Sequence, residues 1–109
     1  MRGLAWFARS WLDRLNLDAT QCAVIRGRGE SMEPTLPDGC SILFDRNRRT
    51  PRDGRIHVVR AGDGLIVKRV VMCGSGWELA SENPAVEAEP WPPDAEVVGE
   101  VMWVAQTLI

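Results

Sequence analysis

The serine at position 31 is a candidate nucleophile, because the residues around it would hold an exposed hydroxyl in a rigid turn. It lies in the segment GRGESMEPTLPDG, residues 27–39. Glycines before the serine allow close backbone approach, and prolines after it stiffen the chain. Backbone N–H groups at Glu30 and Ser31 would face a developing oxyanion. The alternative is a plain turn built from glycine and proline.

A serine hydroxyl needs a neighbouring base to take its proton, and Lys68 is the stronger candidate for that base. The thirteen basic residues are twelve arginines and this one lysine. An arginine keeps its proton in a protein, whereas a lysine in an apolar environment can lose it. Strand alternation puts Lys68 on one face with Ile66, Val70 and Met72. The sequence therefore predicts an uncharged Lys68 that accepts the proton of Ser31; the alternative is a lysine at a strand edge with its charge in water.

His57 is the other candidate for a base, and it is the one histidine of the sequence. It alternates with apolar neighbours in Ile56–Arg60, as an ordinary strand residue does. Because no partner that would orient its ring can be specified, we interpret His57 as a structural or surface residue rather than a catalytic one.

The elements that must position these residues are mostly strands. Apolar residues recur at three and four over residues 3–15, which predicts a short amphipathic helix, and no helical period follows. Turn residues at 61–64 and 73–76 predict hairpins, and the proline-rich segment 83–94 predicts an irregular surface excursion. The helix stripe contains Leu4, Phe7, Ala8, Trp11, Leu12 and Leu15. The predicted strands cover residues 23–26, 41–44, 56–60, 65–72, 77–80 and 97–105.

Composition limits the class of protein. A length of 109 residues suits one domain, and a net charge of -2 argues against direct nucleic-acid binding. The three cysteines form no CxxC pair and are odd in number, which argues against a disulfide framework or a zinc site, so we predict reduced, packed thiols in a cytoplasmic protein. The N-terminal segment is too short and too charged to span a bilayer. A helix lying on a membrane surface is the alternative, but its polar face mixes charges of both signs.

Taken together, these motifs resemble the S24 peptidases, the LexA-like catalytic domains of SOS and phage repressors and the UmuD proteins. Arg28–Leu36 resembles the nucleophile box of that family and Leu65–Arg69 its lysine box, and Lys68 follows Ser31 by 37 positions. Later segments also resemble the family, and the resemblance covers most of the chain. They are Pro51–Gly54 leading into Ile56–Val59, Leu79–Pro84 and Val98–Trp103.

The resemblance implies a mainly β domain with a curled antiparallel sheet and a Ser31–Lys68 dyad. It also implies an oxyanion hole of backbone N–H groups at Glu30 and Ser31, with Met32 beside the substrate cleft. The expected activity is that of a serine endopeptidase, autoproteolytic in the full-length protein, with no cofactor and no metal. The expected domain is residues 1–109, with its β part at 22–109 and no DNA-binding domain.

The resemblance further implies partners: a second copy of the chain in a homodimer and a peptide carrying an Ala-Gly or Cys-Gly bond, in cis or in trans. A recombinase filament is the expected co-protease, and neither nucleic acid nor membrane is an expected partner. Two features depart from the family. Cys40 stands where the family has an aspartate, and the Ala-Gly and Cys-Gly pairs, at 61–62 and 73–74, follow Ser31 and lie in predicted hairpins.

Two other functions fit parts of the pattern. One is a dimerisation or polymerase-binding module of the UmuD kind with an idle dyad, suggested by the missing upstream cleavage bond. The other is a signal-peptidase-like maturation protease, which shares the serine and lysine boxes but usually carries a membrane anchor.

Overall fold

The computed structural model of the protein describes residues 9–74 and 76–106. Within these residues, seven antiparallel strands form one sheet in the order β1-β2-β7-β3-β4-β5-β6. This confirms the predicted mainly β fold. The strands are β1 (Cys22–Arg26), β2 (Ser41–Asp45), β3 (Arg55–Ala61), β4 (Gly64–Cys73), β5 (Gly76–Ala80), β6 (Glu89–Pro90) and β7 (Glu96–Ala105).

The predicted strands agree with the six longer strands to within one residue at each end. Both predicted hairpins are present, since Ala61 pairs with Gly64 and Cys73 pairs with Gly76. The short strand β6 was not predicted. It lies inside the proline-rich segment 83–94, and two exposed residues carry no alternation that a sequence pattern could reveal.

The N-terminal helix covers residues 9–14 in the described part, and residues 3–8 of the predicted helix lie outside the described residues. Leu12 is buried with Leu17 and Leu43, so the helix packs on the sheet as predicted. Leu15 differs from the prediction. Because the helix ends before it, its side chain is 43% exposed instead of lying on the packed face. A short 3-10 turn, Ala19–Gln21, leads into β1.

A buried polar cluster joins β3 to β7. His57 is fully buried, and its Nδ1 lies 3.0 Å from the Arg55 carbonyl oxygen, which suits a neutral ring that donates there. The other nitrogen, Nε2, accepts from the Arg52 backbone N–H at 3.4 Å. The Glu100 carboxylate, 2% exposed, accepts from Arg52 Nη1 at 3.3 Å and lies 4.0 Å from His57 Nε2. These contacts fit the structural interpretation of His57.

Protonation of His57 is expected to weaken the fold. Desolvation lowers the pKa of His57 below its ordinary value of 6.5, although the hydrogen bond to Arg55 and the nearby Glu100 charge oppose that shift. The unfolded chain then takes up a proton near pH 6.5 while the folded chain does not. Stability should therefore fall as the pH drops below 6.5, by up to about 1.4 kcal/mol for each pH unit until the folded ring titrates.

Urea unfolding at several values between pH 7 and pH 5 measures this effect. His57→Gln removes the titrating ring, so its free energy of unfolding should change less with pH over the same range. Equal slopes for the variant and the parent protein would contradict the assignment of the pH dependence to His57.

Candidate active site

A cavity of about 550 Å³ lies between the end of β1 and the first half of β4. Ser31, Met32 and Lys68 all line its wall. The fold therefore brings together residues that are 37 positions apart in the sequence. The rest of the lining is largely apolar and includes Ile25 and Val67. Glu30, the other residue predicted at this site, is exposed and does not belong to the lining.

Both sides of the cavity carry strand edges that are open in the described part of the chain. β1 is an outer strand of the sheet, paired on one side with β2. The pairing of β4 with β5 covers Arg69–Cys73, so residues 64–68 of β4 continue beyond it. Backbone N–H and C=O groups that no strand pairs are available to bind another extended chain.

Hydrogen bonds within the loop fix the turn that carries Ser31. The Glu33 N–H donates to the Glu30 carbonyl at 3.1 Å, and the Leu36 N–H donates to the Met32 carbonyl at 2.8 Å. Met32 and Leu36 are buried beneath the turn. The Ser31 side chain is half-buried at the cavity wall, and its Oγ forms no hydrogen bond to another described residue.

The Lys68 amine is held by a serine other than Ser31. Its Nζ donates to Ser81 Oγ at 2.6 Å, and among the described residues no hydrogen bond links Nζ to Ser31 Oγ. Lys68 is half-buried. Ile66 and Val70, on the same face, pack in an apolar cluster, whereas Met72 at the end of that face is 51% exposed. On β4, Lys68 therefore lies between two packed apolar residues, Ile66 and Val70.

Comparison with known proteins gives the family. The Peptidase S24-like family matches residues 5–102, which is most of the chain. The chain belongs to the S24 peptidase family. The serine and lysine boxes that resembled this family in the sequence are the segments that meet at the cavity.

Similar S24 proteins include bacterial and phage regulators. An uncharacterized HTH-type transcriptional regulator of Haemophilus influenzae is 32% identical over 90% of this chain and 43% of its own length. The repressor protein CI of Enterobacteria phage phi80 is 27% identical over 89% of this chain and 43% of its own. The LexA repressor of Burkholderia cenocepacia is 38% identical over 59% of this chain and 30% of its own length. The chain thus spans less than half the length of these curated relatives.

The segment that follows β5 contacts both Lys68 and the turn that carries Ser31, and no role was predicted for it. Ser81 accepts from Lys68, and Asn83 donates from its backbone to the Ser31 carbonyl oxygen at 2.9 Å. A signal for Ser81 was present in the sequence. The predicted hairpin at 73–76 fixes the register of β4 and β5, in which Arg69 and Ala80 form the last pair. Extending that register by one residue places Ser81 opposite Lys68.

Cys40, which replaces the aspartate of the S24 pattern, is buried at 1% exposure in the cluster under the serine turn. Its carbonyl oxygen accepts from the Gly27 N–H at 2.8 Å. The neighbouring carboxylate of Asp38 accepts from the Gly29 N–H at 2.8 Å. The loop is therefore tied to the residues before Ser31 without an acidic side chain at position 40.

The other predictions concern the cysteines, the cleavable bonds and the membrane. The three cysteines are free thiols, but Cys73 is exposed at a hairpin and not packed as predicted. The bonds Ala61–Gly62 and Cys73–Gly74 lie in hairpins, as expected. Within residues 9–74 and 76–106, no helix has the length and apolar character needed to cross a membrane.

Proposed function

We propose that this chain is the peptidase domain of a repressor of the LexA and CI type, a serine endopeptidase that uses Ser31 as nucleophile and Lys68 as general base. One observation carries the proposal: Ser31 and Lys68 line one cavity that is flanked by open strand edges. The membership of the S24 family and the similarity to repressor proteins support the same activity.

The substrate is an extended peptide that lies between β1 and residues 64–68 of β4. Its backbone pairs with the open strand edges, as a peptide does when it adds a strand to a sheet. Its side chains meet the apolar lining, which includes Ile25, Leu36 and Ile42. The scissile carbonyl then lies beside Ser31, with the bond that follows an alanine or cysteine placed for attack.

The reaction needs only groups of this chain and water. Ser31 Oγ attacks the scissile carbonyl carbon while its proton passes to the uncharged Lys68 amine. The Ser31 backbone N–H donates to the developing oxyanion. The Lys68 ammonium then gives its proton to the leaving amine, and an acyl group remains on Ser31. Water, deprotonated by the same amine, releases the acyl group and restores the serine.

The cleaved bond belongs to a segment other than the hairpins. Ala61–Gly62 and Cys73–Gly74 sit at turns between paired strands, where the backbone cannot extend into the cavity without unpairing them. We therefore propose an Ala-Gly or Cys-Gly bond in a preceding segment of a full-length repressor, cut in cis in the cytoplasm, or in a second chain, cut in trans. A recombinase filament as co-protease belongs to the same proposal.

Incubation with a synthetic peptide containing an Ala-Gly bond tests the activity. Mass spectrometry should find products that end at the alanine, and a matched peptide with proline in place of the glycine should stay intact. Equal products from both peptides would count against the proposed peptidase.

A dimerisation module with an idle dyad is the second candidate. The contact of Lys68 Nζ with Ser81 rather than Ser31 favours it, since the base is then engaged elsewhere. Val24, 61% exposed on the outer strand β1, offers apolar surface to a second copy. Sedimentation that shows a dimer, together with no cutting of either peptide at any pH, would favour this function.

A further inference from the structure

We infer that Ser81 is a positioning residue, which holds the Lys68 amine at a fixed place relative to Ser31. The inference rests on the proposed peptidase function and adds a third side chain to it. Ser81 is half-buried and does not line the cavity, so it acts through Lys68 rather than on the substrate.

The hydrogen bond suits a base that must present its lone pair. An uncharged amine has two N–H bonds and one lone pair. When one N–H of Lys68 donates to Ser81 Oγ at 2.6 Å, the lone pair stays free for the proton of Ser31. A lysine side chain without such a partner samples many rotamers, and fixing its end costs conformational entropy in each turnover.

Asn83 ties the same segment to the turn of the nucleophile. Its backbone N–H donates to the Ser31 carbonyl at 2.9 Å, and its Nδ2 donates to the Glu30 carbonyl at 3.2 Å. The amide oxygen of Asn83 accepts from the Ala85 N–H at 2.9 Å, which fixes the orientation of the amide. Because each peptide unit is planar, holding the Glu30 carbonyl also directs the Ser31 N–H, the proposed oxyanion donor.

A third contact anchors the segment to β4. Glu82 accepts from both Arg69 Nε and Arg69 Nη2, and the Arg69 side chain is about one-third exposed. Three consecutive residues therefore bind Lys68, its neighbour Arg69 and the turn at Ser31. The distance between base and nucleophile is set by this one segment, Ser81–Asn83, in addition to the sheet.

Steady-state cutting of the Ala-Gly peptide tests the role of Ser81. Ser81→Ala should lower kcat about tenfold to a hundredfold with KM unchanged, because the base is misplaced while the cavity is intact. Ser81→Thr keeps a hydroxyl and should retain most of the rate. Ser41→Ala, which removes a half-buried serine outside the cavity, is the matched control and should cut like the parent protein. A Ser81→Ala rate equal to or above that of the parent protein would overturn the inference.

A second measurement needs no cutting, because Lys68 is the only lysine in the sequence. Without peptide, an amine-directed acylating reagent at pH 8 should modify Lys68 several times faster in Ser81→Ala than in the parent protein or Ser81→Thr. Equal modification rates would overturn the inference even if the chain cuts nothing. Loss of the peptidase function would appear instead as identical peptide products with the parent protein and Ser31→Ala.

Circular dichroism establishes whether each variant folds. Should Ser81→Ala fail to fold, Ser81→Thr and Ser81→Val replace it, because threonine and valine have the same shape and differ in the hydroxyl. Slower cutting and faster acylation of the valine variant support the positioning role, and equal values for the two variants contradict it.

Discussion

Replacing Lys68 with methionine or arginine is expected to lower the rate of peptide cutting about a hundredfold to ten-thousandfold, the usual contribution of a general base. Methionine removes the amine and keeps a flexible side chain of similar length. Arginine keeps a positive charge and hydrogen-bond donors but cannot give up its proton in a protein. Both variants should therefore lose cutting to a similar extent, which separates proton transfer from simple charge as the role of Lys68.

Arg60→Met is the control for the Lys68 variants. Arg60 is a basic strand residue on β3 whose side chain is 52% exposed, pairs with the exposed Glu96 and does not line the cavity. Initial rates on the Ala-Gly peptide should match those of the parent protein for Arg60→Met. Substantial cutting by Lys68→Arg would show that the site needs a cation rather than a base, which contradicts the proposed mechanism.

Ser31→Ala should lower the rate of peptide cutting about a thousandfold or more, while leaving the free energy of unfolding nearly unchanged. The two parts of this prediction have different reasons. The first follows from loss of the attacking oxygen. The second follows from the contacts of the side chain, because Ser31 Oγ forms no hydrogen bond to another described residue. A surface or half-buried hydroxyl without a partner changes the free energy of unfolding by only about 0.5 kcal/mol.

Peptide assays and urea unfolding of Ser31→Ala measure both parts. Ser41→Ala, at the start of β2 and outside the cavity, is the matched serine-to-alanine control. Cutting by Ser31→Ala at the rate of the parent protein would assign the activity to another residue or to a contaminating protease. A large loss of stability would mean that Ser31 has a structural role.

The sheet was predictable because local sequence patterns indicate its strands. Strands of five to ten residues with apolar alternation lie between glycine turns, and the hairpins at 61–64 and 73–76 join neighbours in sequence. The helix at residues 9–14 was predictable from its period. Its end was not, because Leu15 continues the apolar spacing although the chain turns away before it.

The meeting of Ser31 with Lys68 in one cavity was expected from family resemblance, since local pattern cannot show that a loop after β1 lies against β4. The hydrogen bond from the Lys68 amine to Ser81 was not predicted. Which hydroxyl accepts a hydrogen bond from the Lys68 amine depends on the path of the loop after β5. That path is fixed by the long-range contacts of Glu82 and Asn83. A sequence pattern carries no information on such contacts unless the register of the hairpin is extended residue by residue.

The most direct test of the central claim, that Lys68 activates Ser31, is covalent labelling with a serine-directed peptidyl phosphonate. Peptide mapping by mass spectrometry should find the adduct on Ser31 in the parent protein, and labelling should be slower by about a hundredfold or more in Lys68→Met. An adduct on Ser81, or equal labelling of Ser31 in both proteins, would contradict the account.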